Sequence, residues 1–561
     1  MNPATPSSAG ATAVSPQVTR LGLGDLATYL NRQKEKAQSH LMGIAIKELM
    51  DALGRCDDRK LIGFAKFLAR AARTEHHRAQ LRQLVELWEN DHPSLGIARK
   101  LFNDIHPNCR TKLIYNLGVL GVWQGEIRRR EFKRVEGHRP PFLGVISPTN
   151  RCNLKCTGCY SGLFPRDVAD PMSWEVFDRI ITDSKELGIH FFTITGGEPF
   201  VRNDVLDMFE KHSDCIFHVY TNGTRITDKH VDRIVQLGNV LLSMSVEGFR
   251  EQTNERRGRG VWESVMETMD RLRSAGCIFG FSATATRLNA DVIASEEFID
   301  LMIDKGCLYG WQFIMTPTGK DDDPYFMPTP AQRDRLRAHA MDMRRKKPIF
   351  IADFWNDACL TDGCMSAGTL YFHINFKGDI EPCVFVHFAE QNVFELYRNG
   401  GHLKDAILHG SFFKALRTRN RRDPNRLRPC PILDHNEYLE ESIVATGAYP
   451  THVGAEAVIT DHREALRTWG EAYGELAEKA WNSGEYNFFK NASHLWLADE
   501  DDWAPGTVER LRLKQQGGCQ NFNHSPANGN GCGVQGGGNG NGHNAHTETS
   551  RAKSDLIELT V

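Results

Sequence analysis

Long apolar runs are missing from this chain: no stretch approaches the roughly 18 consecutive apolar residues that a membrane-spanning helix needs. Its opening, MNPATPSSAGATAVSPQ, lacks both the charged and the apolar regions of a secretory signal, so a cytoplasmic location is expected. Charge of one sign is missing too. With 68 basic and 71 acidic residues the formal net charge is -3, which leaves no global field drawing the molecule to polyanions. Three local basic runs, Arg128–Lys133, Arg256–Arg259 and Arg417–Arg428, do not interleave aromatics with charge as base stacking requires, so no nucleic-acid partner is expected.

What is present is an ordinary globular composition, 40% hydrophobic and 25% charged, in a chain of 561 residues, long enough for two or three folded units. Residues 1–18 are rich in Pro, Ser, Ala and Thr and are expected to stay unfolded. Residues 19–137 read as a helical domain, because LIGFAKFLARAA and QLRQLVELW repeat apolar residues at three- and four-residue intervals. From His138 the pattern changes. Six short β-branched or aromatic runs, PFLGVIS, HFFTITG, IFHVYTN, VLLSMSV, IFGFSAT and YGWQFIM, alternate with helices that start near Ser173, Asp204, Thr227, Val261 and Ser295. This predicts an α/β fold over 138–350, a partial (β/α)6 TIM-like barrel with function at the loops after the strands. A smaller domain is expected over 351–440, a helical region over 441–514, and a Gly/Asn-rich unfolded tail over 515–561.

Fourteen cysteines in such a chain read as reduced thiols, some of them metal ligands. Three of them, Cys152, Cys156 and Cys159, form a CxxxCxxC run directly after the first strand run, with no fourth cysteine nearby. A structural zinc takes four ligands, usually as two pairs. An iron–sulfur cube also has four irons, so three thiolates hold it and leave one iron open to a substrate or cofactor.

This loop, followed at the end of the second strand by Gly196, Gly197, Glu198 and Pro199, resembles the radical S-adenosylmethionine (radical SAM) enzymes. The resemblance implies a [4Fe–4S] cluster on the three cysteines, with S-adenosylmethionine (SAM) chelating the open iron. It further implies reductive cleavage to a 5'-deoxyadenosyl radical that abstracts hydrogen from a substrate, with a reduced flavodoxin- or ferredoxin-type electron donor. By position, Gly196, Gly197 and Glu198 would face the methionine end of SAM, Ser245 and Glu247 the ribose, and Arg257 the carboxylate. Family members often carry an aromatic residue just before the third cysteine. Here that residue is Gly158, so adenine packing is expected on Tyr160 or another side chain. Asn222 and Gln312 also end strands, and a turn or core-edge role is open for both.

The stretch GCMSAGTLYFHINFKGDIEPC, with Cys364, Gly378 and Cys383, is similar to the start of the auxiliary-cluster module called SPASM, or twitch when shortened. The dense cysteine run of a full SPASM module is absent, and Cys430 alone follows. One auxiliary iron–sulfur cluster on Cys364, Cys383 and Cys430 is therefore expected, its fourth ligand open between Cys359, Asp434, His435 and the substrate. Cys56, Cys109, Cys215, Cys277 and Cys307 read as core residues, and Cys519 and Cys532 as free tail thiols. The module implies a peptide or protein substrate, with a small molecule or lipid as the alternative. Trp311, Phe313, Phe354 and Trp355 near strand ends, and Asp353, Asn356 and Asp357, either face that substrate or serve packing and a capped turn. A non-catalytic iron–sulfur carrier or redox sensor is the competing class.

Overall fold

The computed structural model describes residue 48 and residues 56–487, apart from 72–74, 163, 165–169 and 421. The expectations for residues 1–18, for the tail 515–561 with Cys519 and Cys532, and for the outer parts of the two helical regions lie outside the described residues. Everything below belongs to the compact unit Met50–Val561.

Helices Asp58–Ala71, Glu75–Glu89 and Ser94–Asn103 and a helical run from Pro107 to Glu136 precede the sheet. Ile105 and Cys109 pack against Ile216, Leu241, Ile278 and Leu308, which lie where strands begin. His106 and Asn108 donate to the Gly276 and Val235 carbonyls at 2.9 Å, fastening this region to the same end. The N-terminal helices thus cover the amino end of the sheet and leave the opposite end to the loops.

Six strands form where alternation predicts them: β1 Leu143–Ile146, β2 Phe191–Ile194, β3 Ile216–Thr221, β4 Val240–Ser245, β5 Phe279–Ala285 and β6 Tyr309–Ile314. The helices between them start as expected. Ser173 caps Trp174–Glu186 by accepting from the Val176 amide, and Ser295 caps Glu296–Asp304 by accepting from Phe298. The sheet is larger than six strands, however. Strand β7, Phe350–Asp353, joins β6, and β8, Tyr371–Ile374, lies parallel to β1 in the register Leu143↔Tyr371, Ile146↔Ile374. Strand β9, Ile380–Glu381, returns antiparallel to β8, completing a nine-stranded sheet in the order β7-β6-β5-β4-β3-β2-β1-β8-β9. The chain is an α/β protein built on a mostly parallel sheet.

Strand β1 therefore has a neighbour on both sides, and the hairpin that leads to Cys383 pairs directly with the strand that feeds the first cysteine loop. Gly378, at φ +83, makes the turn, with the Phe394 ring only 3.0 Å from where a Cβ would stand. One apolar core runs through both parts, with Ile146, Phe192 and Phe281 beside Phe372, Ile374 and Phe388. Among the described residues no helix is long and apolar enough to cross a membrane.

Candidate active site

Strand β1 ends at Ile146, and the chain then runs along the turn that follows β2. Gly197 donates to the Thr149 carbonyl and Glu198 to the Arg151 carbonyl, both at 2.9 Å. A Cβ on Gly196 would stand 2.4 Å from the Thr149 oxygen, and one on Gly197 2.1 Å from the Arg151 oxygen. No side chain fits there. The two glycines allow the turn to press against the backbone that leads into Cys152.

The Glu198 carboxylate is 1% exposed and fully engaged by the protein. It accepts from Thr221 Oγ1 and the Asn222 amide at 2.7 Å and from the Phe200 amide at 3.2 Å. Burial pushes its carboxyl above the usual range, against the lowering effect of those bonds. Glu198 thus binds the β2 turn to the end of β3. Asn222 extends the link, donating to Asn153 Oδ1 at 3.0 Å and toward Cys152 Sγ at 3.9 Å.

The other side of the loop is held by the helix Arg250–Arg257, whose Arg256 carbonyl accepts from the Thr157 amide at 3.0 Å. Glu247, two residues beyond β4, is wholly buried and carries two arginines, with Arg256 Nη1 at 2.5 Å and Arg257 Nε at 2.7 Å. The Thr284 amide on β5 adds a third donor at 3.0 Å. Burial disfavours the charge on Arg257, but Glu247 and then Cys156 outweigh it and strengthen that charge. Beside the loop a cavity of about 160 Å³ is lined by Thr157, Gly158, Arg256, Leu288, Met315 and Phe326, among others. Ser245 ends β4 near this region, 8% exposed.

Tyr160, named above for adenine packing, is engaged at the turn after β2. Its hydroxyl lies 2.7 Å from Thr195 Oγ1 and accepts from the Gly196 amide at 3.1 Å. Its ring meets Phe385 edge-on, with centroids 5.8 Å apart. Burial pushes the hydroxyl pKa up to about 12, so it remains protonated.

Phe385 belongs to a second site. Cys364, Cys383 and Cys430, gathered from three separate segments, line one cavity with Phe354, Trp355, Tyr371, Pro429, Pro431 and Ile432. Burial raises all three thiols, Cys383 to about 12. The free space among the three thiols is about 30 Å³, little more than a water or two. Of the fourth-ligand candidates, Cys359 faces a different cavity beside Arg344 and Tyr486. Asp434 is held by Arg333 at 2.6 Å in a fully buried pair, and His435 by Asp423 at 2.8 Å. Among the described residues no three His, Cys, Asp or Glu groups are placed to hold a single metal ion, so neither cysteine trio is arranged as a mononuclear site.

Known proteins are similar to this chain over part of its length. Residues 146–289 match the model of the Radical SAM superfamily. The AdoMet-dependent heme synthase of Methanosarcina barkeri is 26% identical over 342 residues, 55% of this chain and 94% of that one. The mycofactocin maturase MftC of Mycolicibacterium smegmatis is 28% identical over 322 residues, 54% and 78% of the two chains. Among solved structures, Streptococcus suis SuiB bound to precursor peptide SuiA is similar with a TM-score of 0.44 and 20% identity, over 53% of this chain and 71% of that one.

Residues 146–289 are a radical SAM domain, and the chain is an enzyme. Its superfamily uses a [4Fe–4S] cluster and SAM. Of the aromatics singled out from sequence, Phe354 and Trp355 line the second site. Phe313 stacks near Trp311 at 6.0 Å and meets Phe354 at 5.3 Å, while Trp355 and Phe385 rings are 5.2 Å apart. Asp353 accepts from the Trp355 and Asn356 amides and Asp357 pairs with Arg344 at 2.5 Å, which makes this segment a capped turn. Gln312 is 2% exposed, and among the described residues its amide has no hydrogen-bond partner. Sequence reasoning missed Arg256, Phe385 and Tyr371. The doubled arginine before Gly258 was the available signal for the first; the other two carry no motif.

Proposed function

We propose that Cys152, Cys156 and Cys159 hold the [4Fe–4S] cluster and that the chain around them binds SAM to act on a peptide or protein. The observation that carries this reading is the close fit of the glycine turn against the cysteine loop, with a cavity and two partly buried arginines beside it. When bound, cluster and SAM supply a 5'-deoxyadenosyl radical that abstracts a hydrogen atom. Gly196 and Gly197 leave backbone in place of side chains at the loop. Arg257 offers a guanidinium to a carboxylate, and Glu247 fixes its orientation. Ser245 and Glu247 are the candidate ribose contacts and Glu198 the residue that keeps the turn in place, whereas Tyr160 braces Gly196 and Phe385. Cys364, Cys383 and Cys430 are read as ligands of one auxiliary iron–sulfur cluster. A reduced flavodoxin- or ferredoxin-type protein is the proposed donor.

Anaerobic reconstitution with iron, sulfide, SAM and a reductant tests the chemistry: 5'-deoxyadenosine should form, and cluster assembly without it would favour a mere electron carrier. The peptide reading is supported by the SPASM-like cysteine spacing and by similarity to a maturase. A small-molecule substrate is favoured by the heme synthase, which this chain matches over nearly its whole length. Feeding deuterated cell extract, split by size, separates the two. Deuterium in 5'-deoxyadenosine should come from the peptide fraction, and label arising only from the small-molecule fraction would overturn that choice.

A further inference from the structure

The sulfurs of the second site have hydrogen-bond partners. The Phe385 amide donates to Cys383 Sγ at 3.5 Å and the Ile432 amide to Cys430 Sγ at 3.4 Å, each two residues beyond its cysteine. The Leu154 amide does the same for Cys152 at 3.5 Å, so this pattern comes with the turn after a cysteine and is common to both sites. Ser366 Oγ, 3.0 Å from Cys364 Sγ, is likewise a near neighbour in sequence.

Tyr371 is different. It lies on β8, twelve residues before Cys383, and its hydroxyl donates to Cys383 Sγ at 2.9 Å. The side chain is almost wholly buried and forms part of the cavity wall shared by the three cysteines. Pairing of Tyr371 with Leu143 on β1 fixes its position, and the Phe354 ring at 6.2 Å flanks it. The phenol hydroxyl is the donor of this bond and the sulfur its acceptor.

We propose that Tyr371 sets the reduction potential of the auxiliary cluster by donating a hydrogen bond to the Cys383 thiolate. The inference rests on the reading of Cys364, Cys383 and Cys430 as cluster ligands. Hydrogen bonds to cluster sulfurs are a main control of potential, because a donor stabilises the more negative, reduced state more than the oxidised one. In an apolar wall of proline and aromatic side chains the effect is least diluted by water.

The test uses the full chain carrying C152A, C156A and C159A, reconstituted anaerobically, so that only the second cluster is titrated by electron paramagnetic resonance. Adding Tyr371→Phe keeps the ring in the core. Iron and sulfide content should be unchanged, and the midpoint should move to more negative potential by about a tenfold change in the reduced-to-oxidised ratio, about 59 mV for one electron. An unchanged midpoint overturns the proposal. Loss of iron in Tyr371→Phe also overturns it, since the tyrosine would then be needed to hold the cluster. An iron-free triple-alanine background, visible before Tyr371 is altered, would instead overturn the reading of the second site.

Discussion

The two cysteine trios differ in how the chain assembles them and in what surrounds them. Cys152, Cys156 and Cys159 sit on one loop between polar neighbours: Asn222, Ser161, Arg256 and Arg257 with their shared Glu247. Cys364, Cys383 and Cys430 come from three segments and meet among Phe354, Trp355, Tyr371 and Phe385. A polar site with open space beside it suits a charged, exchangeable cofactor, whereas a dry aromatic one suits a group that stays in place and exchanges only electrons. Tyr160 and Phe385 bring the two sites into contact.

The strongest way to break this comparison is at the loop. Cys156→Ala should abolish 5'-deoxyadenosine formation, and an unchanged yield by chromatography would refute the role given to the first trio. Replacing Cys152, Cys156 and Cys159 together by alanine should leave about four irons per chain, since one cube requires that many. Iron assay and absorption spectra check this, and an iron-free variant would mean that only one site binds a cluster.

A smaller and more selective effect is expected at Asp434. Its carboxylate accepts from the Cys430 amide at 2.9 Å while pairing with Arg333, whose guanidinium lies 3.6 Å from the Tyr473 ring centroid on the helix Arg463–Asn482. Asp434→Ala leaves a buried arginine unpaired, which costs about 3–5 kcal/mol. Denaturant unfolding should show that loss, and the auxiliary site alone should lose iron. Equal loss from both sites would show that the trios are not independently supported.

Much of the fold around the first cysteine loop was legible because its signals are local. CxxxCxxC lies within one loop, the glycine turn closes the next strand, and alternation marks all six strands between them. The second site depends on pairings distant in sequence. Strand β8 follows no helix that would mark it as the next βα unit, and nothing in YFHI indicates that it will lie beside LGVI more than 220 residues earlier. Glu198 and Tyr160 were read as cofactor contacts because motif position does not reveal that Thr221, Asn222 and Thr195 already engage them. Cys359 shows the opposite limit: it is close in sequence to Cys364 yet faces another cavity.

The subtlest prediction concerns the fastening between the two sites. Glu381 on β9 is fully buried, with His373 Nδ1 at 2.7 Å, Thr451 Oγ1 at 2.6 Å and Asn375 Nδ2 at 3.0 Å. His373 Nε2 in turn lies 2.8 Å from Ser147 Oγ, on the residue that follows β1. Burial alone would raise the Glu381 carboxyl, but the hydrogen bond from His373 and the nearby His387 ring at 3.7 Å outweigh it and hold the pKa down at about 2. A carboxyl depressed on folding stabilises the fold at pH above its unfolded value, near 4.3, and that contribution is lost as pH falls toward 2. The full effect is about 3 kcal/mol. Glu381→Gln should therefore flatten the decline of stability of the cluster-free protein between about pH 4.3 and 2, measured by urea unfolding at several pH values. The same steep decline in the variant would show that this carboxylate does not couple the β8–β9 hairpin to the strand beneath the first cysteine loop, and the two sites would then be joined by the aromatic contact and the β1–β8 ladder alone.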